Sequence, residues 1–255
     1  MSEPISVVLI TKNAAALLEK CLQSCAFADE IVVVDSGSSD ETIAIASAYK
    51  ARVIHQDWLG FGPQKQFAVR QASHNWVLCL DADEWLSEKL CSEISALLNN
   101  PQQLAACGAW RFARSNKFMG RFLQFGEGYP DYSLRLFDRR RARWSDDLVH
   151  EYVHSQDAPG TLQGDLMHES GEDIALYLAK QNRYTTLQAE ALYQRGKKAG
   201  IAKLLFSPLL RFVKFYFFRQ GFRDGLPGLV HISIGCFNSY IKYGKLIELY
   251  RLARK

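Results

Sequence analysis

Trp76-Val77-Leu78-Cys79-Leu80-Asp81-Ala82-Asp83 sets an unbroken apolar run directly against two carboxylates separated by one small residue. A strand that is apolar throughout, without alternation, is covered on both faces, the usual condition of a parallel sheet in an α/β fold. Ligands of such sheets bind in the crevice beyond the carboxyl ends of the strands. Asp81 and Asp83 therefore stand where a substrate or metal ion is met. Ile31-Val32-Val33-Val34 empties in the same way into Asp35-Ser36-Gly37-Ser38-Ser39-Asp40-Glu41-Thr42, and the two strand ends are expected to be neighbours.

Working outward, strand-like runs at 5–10, 31–34, 52–55 and 76–80 alternate with helical patterns at 14–25, 40–50 and 63–74. That alternation predicts βαβ units and a mostly parallel central sheet. Asp35, at a strand tip, is a candidate ligand contact, whereas Asp40 serves equally well as a helix cap. Residues 106–170 mix aromatic and charged side chains too densely for a simple core, a mixture suited to polyhydroxylated or phosphorylated ligands. Helical periodicity returns from about 172, with breaks near Gly200, Pro208 and Gly225–Gly228. The expected division is thus 1–105, 106–170 and 171–255. Gly120, Gly126 and Gly128 make 115–128 a candidate lid.

At 255 residues, 48% hydrophobic and 23% charged, the chain has the composition of a folded globular protein. Its formal charge of +4 is modest, and nucleic acid is not an expected partner. Cysteines at 21, 25, 79, 91, 107 and 236 lack zinc-ribbon or redox spacing. They read as reduced, small core hydrophobes, which together with the missing basic-then-apolar leader points to a cytosolic setting. Gly60-Phe61-Gly62 does not follow a strand with dinucleotide-binding spacing, so a nicotinamide oxidoreductase is disfavoured.

The tail has its own signature. Between Arg195 and Arg223 there are eight basic residues and no acidic one, and 206–222 holds seven aromatics. On a helix over 208–220, Arg211, Lys214 and Arg219 gather on one side. Such a segment suits the headgroup region of a membrane, being too short and too charged for the ~20 apolar residues a crossing needs. The competing reading is a helix packed on the catalytic domain. Arg135, Arg139–Arg141 and Arg143 form a second basic set, readable as a solvated surface or as a contact for an anionic acceptor.

Ile5–Asn13, Val32–Thr42 and Asp81-Ala82-Asp83, taken in order, resemble the family 2 glycosyltransferases, whose catalytic domain has the nucleotide-sugar-binding GT-A fold. The resemblance implies inverting transfer from a UDP-sugar, assisted by Mg²⁺ or Mn²⁺ at Asp83, at Asp81 directly or through water, and at His150. It places Thr11, Asp35, Lys65 and Asp81 against the nucleotide sugar, with Glu84 a lesser candidate for the metal's surroundings. His150 reads equally as a structural histidine. The Glu-Asp pair that supplies the base in many members is not visible, which leaves Glu151 as the candidate base and Asp131 as its alternative. Tyr129-Pro130-Asp131, Arg135-Leu136-Phe137, Val149-His150-Glu151 and the basic-aromatic tail look like the bacterial lipopolysaccharide inner-core glycosyltransferases. That likeness implies a UDP-glucose donor, a heptose acceptor on the lipid-anchored lipopolysaccharide core, and a peripheral position on the cytoplasmic face of the inner membrane. A polyprenyl-phosphate or capsule glycosyltransferase is the alternative of the same fold, and a nucleotidyltransferase the alternative outside it.

Overall fold

The computed structural model describes residues 2–145, 151–171 and 173–253. They form two compact units, the first running to Arg114 and resuming over Asp131–Glu169, the second made of Ser115–Pro130 and the chain from Ser170 onward. Residues 115–130 therefore belong with the C-terminal helices, earlier in the chain than the helical part was expected to begin.

The first unit starts with β1 (Ile5–Thr11), α1 (Ala15–Ser24), β2 (Glu30–Asp35), α2 (Thr42–Ala48), β3 (Arg52–His55), α3 (Phe61–Gln71) and β4 (Trp76–Asp81). It continues through β5 (Glu84–Leu86), α4 (Glu88–Leu98), α5 (Pro101–Ala106) and β6 (Ala109–Phe118), which crosses into the second unit and pairs there with β7 (Arg121–Phe122). After β8 (Asp131–Asp138) come β9 (Ala142–Trp144), β10 (Val153–Ser155) and β11 (Gly160–His168). The central sheet runs β3-β2-β1-β4-β8-β6-β11-β5, and β9 pairs with β10 in a separate ribbon. The fold is the mixed α/β arrangement called GT-A.

Strands β1 to β4 are parallel, with Ile10 opposite both Val34 and Asp81 and Thr11 opposite Asp35. Thr11, Asp35 and Asp81 thus reach the same end of the sheet in adjacent strands. Alternate residues of the apolar strands face opposite layers: Val7, Leu9, Leu78 and Leu80 pack with α1 and α4 residues, Val8, Val77 and Cys79 with Ala68 and Val69 of α3. Each fully buried aliphatic side chain contributes roughly 1.5–3 kcal/mol, so covering both faces explains why these strands carry no polar alternation. The six cysteines are free, and burial pushes the Cys79 thiol up to about 12.

The antiparallel half delivers what the parallel half lacks. Strand β8 runs beside β4, and β11 lies against β5 with His168 opposite Glu84. Close approach of β11 to α4 requires Gly164, where an added Cβ would stand 2.4 Å from the backbone of Leu90.

In the second unit α6 (Ile174–Gln194), α7 (Ile201–Phe212) and α8 (Gly225–Leu252) pack together, and a π-helical stretch, Val213–Phe218, and a 3₁₀ turn, Gly221–Asp224, lead from α7 to α8. The chain breaks at Gly200 as expected, but α7 continues through Pro208. The ring removes one backbone donor and still fits a helical φ. The proposed lid is not a free loop: buried Asp224 accepts from the backbone N–H of Gln124 (3.1 Å) and Phe125 (2.9 Å), and Gly126 N–H donates to Arg219 O (2.9 Å). Among the described residues no helix is long and apolar enough to cross a membrane.

Candidate functional site

The carboxyl ends of β1, β2 and β4 bring together a loop and a charge ladder. In the loop, Gly37 adopts φ +86°, a conformation that favours glycine, so that the chain turns back over Asp35. Asp35 Oδ1 accepts from the N–H of Gly37 (2.9 Å) and Ser38 (2.8 Å), and Oδ2 from the hydroxyls of Ser38 (2.5 Å) and Thr11 (2.9 Å). Burial by itself would raise the Asp35 pKa, but these donors outweigh it and hold the carboxyl below its ordinary range. Asp35 is 1% exposed, and it fixes Thr11 and the 36–38 turn instead of projecting from them. Asp40 accepts from Thr42 N–H and hydroxyl and from Ala15 N–H, which accords with the capping reading.

The ladder is a chain of alternating charge. Asp131 accepts from Arg114 Nε (3.0 Å) and Nη2 (2.8 Å), and Arg114 Nη1 lies 3.5 Å from Glu84 Oε1. Arg135 Nη2 donates to Glu84 Oε1 (2.8 Å) and to Asp81 Oδ2 (2.8 Å). Lys65 Nζ sits 3.0 Å from Asp81 Oδ1 and 3.2 Å from Glu151 Oε1, with the Trp144 ring centroid 4.9 Å away. The order is thus Asp131, Arg114, Glu84, Arg135, Asp81, Lys65, Glu151. Desolvation alone would raise the Asp81 pKa; the charges of Arg135 and Lys65 reverse that and hold it well below the carboxylate range. For Arg135, desolvation works against the charged form, and Glu84 and Asp81 more than compensate, so the guanidinium stays charged.

Asp83 stands beside the ladder. Its Oδ2 lies 3.4 Å from His168 Nε2, and its backbone carbonyl accepts from Glu169 N–H (3.1 Å). The two side chains are 38% and 20% exposed, so the pair faces an accessible edge. With Asp83 included, five carboxylates meet three fixed cations in this cluster. The excess of two negative charges complements a divalent cation, and a carboxylate with an imidazole offers ligands while leaving positions for phosphate oxygens. Among the described residues no group of three or more metal-binding side chains converges.

The structure therefore joins Lys65, Asp81 and Glu151 directly, places Asp131 at the far end of the ladder, and sets Thr11 and Asp35 on the adjoining loop. His150, with Asp146 and Asp147, lies outside the described residues. Lys65 is 6% exposed, on the inward stripe of α3 with Gln64, Ala68 and Val69. The arginine set is not one patch. Arg135 is buried in the ladder, Arg140 pairs with Asp138, Arg141 with Asp157, and Arg139 donates to the Ala72 carbonyl. Arg114 and His168 were given no role from the sequence. A usable signal existed for Arg135, a lone cation inside Leu134-Arg135-Leu136-Phe137, since a charge within an apolar run must be paired when buried. The run Leu166-Met167-His168-Glu169 repeats the form of a strand that ends in chemistry.

Comparison with known proteins identifies the family. The model of glycosyl transferase family 2 matches residues 6–156, which include β1, the Asp35 loop, Asp81, Asp83, Asp131, Arg135 and Glu151. The chain is 31% identical to the lipopolysaccharide core biosynthesis glycosyltransferase LpsC of Rhizobium meliloti over 98% of its own length and 94% of that protein. It is 32% identical to an uncharacterized glycosyltransferase of Rickettsia bellii over 98% of its length and 88% of the other. Among solved structures it is similar to glucosyl-3-phosphoglycerate synthase of Mycobacterium tuberculosis in complex with Mn²⁺, UDP and glucosyl-3-phosphoglycerate, with 26% identity, a TM-score of 0.35, and 45% and 44% of the two chains covered. The chain belongs to glycosyltransferase family 2, which sets aside the nucleotidyltransferase reading.

Proposed function

We propose that this family 2 glycosyltransferase moves glucose from UDP-glucose, with inversion, onto the heptose of a lipid-anchored lipopolysaccharide inner core at the cytoplasmic face of the inner membrane. The observation that carries the reading is Lys65, whose buried ammonium is shared between Asp81, at a strand end of the nucleotide-sugar half, and Glu151, on the acceptor side. Near full-length similarity to LpsC, named for lipopolysaccharide core biosynthesis, supports the acceptor class.

On this reading the loop held by Asp35, together with Thr11, receives the nucleoside. Asp83 and His168 would hold Mg²⁺ or Mn²⁺, with Asp81, whose oxygens are engaged by Lys65 and Arg135, two residues before Asp83. The metal, when bound, supplies charge stabilisation for the departing diphosphate. Lys65 orients Asp81 against the donor, and Arg135 keeps that carboxylate ionised. Glu151 takes the proton from the attacking heptose hydroxyl as the sugar passes through an oxocarbenium-like state. Asp131, fixed by two bonds from Arg114, is the second candidate base.

The test is transfer of labelled glucose to heptose-bearing core with Mn²⁺ present, alongside calorimetric UDP binding. Glu151→Gln should lower kcat by about 10²–10⁴-fold with UDP binding retained, and Asp83→Asn and His168→Ala should each abolish metal-dependent UDP binding. Loss of turnover in Asp131→Asn but not in Glu151→Gln reassigns the base. Transfer to polyprenyl phosphate and not to heptose refutes the acceptor.

A further inference from the structure

Helix α7 has no buried residue, yet it carries some of the most exposed large apolar side chains of the chain. Ile201 is 73% exposed, Leu209 60%, Leu210 69% and, in the π-helical stretch beyond it, Phe218 80%. Water makes such a surface unfavourable, and a contiguous exposed patch of this kind marks an interaction site.

The arrangement around the helix is ordered. At about 100° per residue, Ile201, Leu205, Leu209, Val213, Phe206 and Leu210 spread over an arc of roughly half the circumference. Lys203 and Lys214 lie just past one border of that arc. Arg211 falls on the opposite side, where its guanidinium pairs with Glu127 and donates to Ser239 Oγ (2.9 Å). Arg211 is therefore a tie within the helical unit and does not belong with Lys214 and Arg219 as a surface cation. An outward apolar arc, flanking lysines and an anchored inner side are the pattern of a helix lying in an interface plane.

We propose that the outward face of α7, continued through Phe217, Phe218 and Phe222, docks on an anionic lipid bilayer by shallow insertion, with the surrounding cations at headgroup level. Charge decides the occupant. Arg195, Lys197, Lys198, Lys203, Lys214, Arg219 and Arg223 are exposed, and no acidic residue occurs from 195 to 223. A second copy of this face would bring like charges together at its rim, whereas a bilayer bearing anionic lipids attracts each exposed cation. The absence of any helix fit to cross a membrane, among the described residues, leaves lying on the surface as the mode.

This deepens the reading of a lipid-linked acceptor, but it is tested without donor or acceptor. The full-length protein is floated with phosphatidylglycerol-containing vesicles and with phosphatidylcholine vesicles. The wild type should bind the anionic vesicles preferentially. Lys203→Gln combined with Lys214→Gln should weaken that binding roughly 25-fold. Leu209→Ser, Leu210→Ser and Phe218→Ser together should weaken it at least roughly 100-fold, with the thermal melt unchanged because these side chains are exposed. Indifference of the wild type to vesicles overturns the proposal, as does wild-type binding by the triple variant. A wild-type dimer at micromolar concentration that the triple variant converts to monomer also overturns it and assigns the face to a second copy. Failure of glucose transfer leaves the vesicle result standing, and failure of vesicle binding leaves transfer to detergent-solubilised acceptor standing.

Discussion

Replacing Arg135 with leucine removes the central cation of the ladder while keeping an apolar side chain in a 4% exposed position. Glu84, 0% exposed, then keeps the Asp81 N–H (3.1 Å) and, as its ladder cation, Arg114 at 3.5 Å, and Asp81 keeps Lys65. Breaking a buried ion pair from one side typically costs about 3–5 kcal/mol, because the remaining charge stays desolvated and unmatched. Against a total stability of roughly 5–15 kcal/mol this is a large loss. All five tryptophans, Trp58, Trp76, Trp85, Trp110 and Trp144, lie in the first unit, so their fluorescence in urea reports the unit that holds the ladder. With a slope of ~2 kcal/mol per molar urea, the midpoint should fall by roughly 1.5–2.5 M. The sharper test is the double variant Arg135→Leu with Glu84→Gln. Removing both charges leaves no buried unmatched ion, so the double variant should recover a substantial part of the loss, with a coupling of about 1–3 kcal/mol. Two single-variant losses that simply add refute the ladder as an energetic unit.

Two further perturbations separate scaffold from chemistry. Gly164→Ala places a methyl group 2.4 Å from the Leu90 backbone; it should displace β11 and with it His168, lowering stability by about 1–3 kcal/mol and weakening Mn²⁺-dependent UDP binding, and unchanged metal dependence in calorimetry rejects this role for the glycine. Glu30, at the opposite end of β2 from the site, accepts from Ser6, Arg52 and the N–H and hydroxyl of Ser73; burial alone would raise its pKa, but these donors lower it to about 2. Because the folded pKa lies below the unfolded value of about 4.3, the stabilisation is present above that value and is lost as pH falls toward 2. Glu30→Gln should therefore be less stable than wild type at pH 7, converge with it in urea titrations as the pH falls to about 2 and below, and keep its UDP affinity at pH 7; a stability gap undiminished at pH 2 contradicts the linkage.

The parallel half of the fold was legible because its signals are local. Ile31–Val34 and Trp76–Leu80 are apolar without interruption, Ile5–Ile10 is apolar but for Ser6, and each ends in polar or acidic residues within the next few positions. Register then follows from packing, so Thr11, Asp35 and Asp81 arrive together. Lys65 belonged to no such signal, since a lysine near a helix start is ordinarily solvated; only the inward stripe of α3 turns it to the sheet. The antiparallel half was not legible, because β8, β6 and β11 are recruited out of chain order and their partners are far apart in sequence. Arg135 meets Asp81 across 54 residues and Lys65 meets Glu151 across 86. The arginines from Arg135 to Arg143 looked alike in sequence, yet Arg135 is buried in the ladder while Arg140 and Arg141 pair with Asp138 and Asp157.

The alternation of the ladder also constrains how the site works. A carboxylate between two cations is held ionised without a free oxygen to spare, which is the state of Asp81, whereas Glu151 and Asp131 stand at the two ends, paired with Lys65 and Arg114. On the proposed function, the end positions are the ones suited to proton transfer and the middle ones to orientation. The carboxylates of the cluster outnumber the ladder's cations by two, and Asp83 lies 3.4 Å from His168. On the proposed function, a divalent ion held by that pair would neutralise the excess. The Asp-x-Asp carboxylates, with one residue between them, thus take different partners: Asp81 pairs with Lys65 and Arg135, and Asp83 with His168.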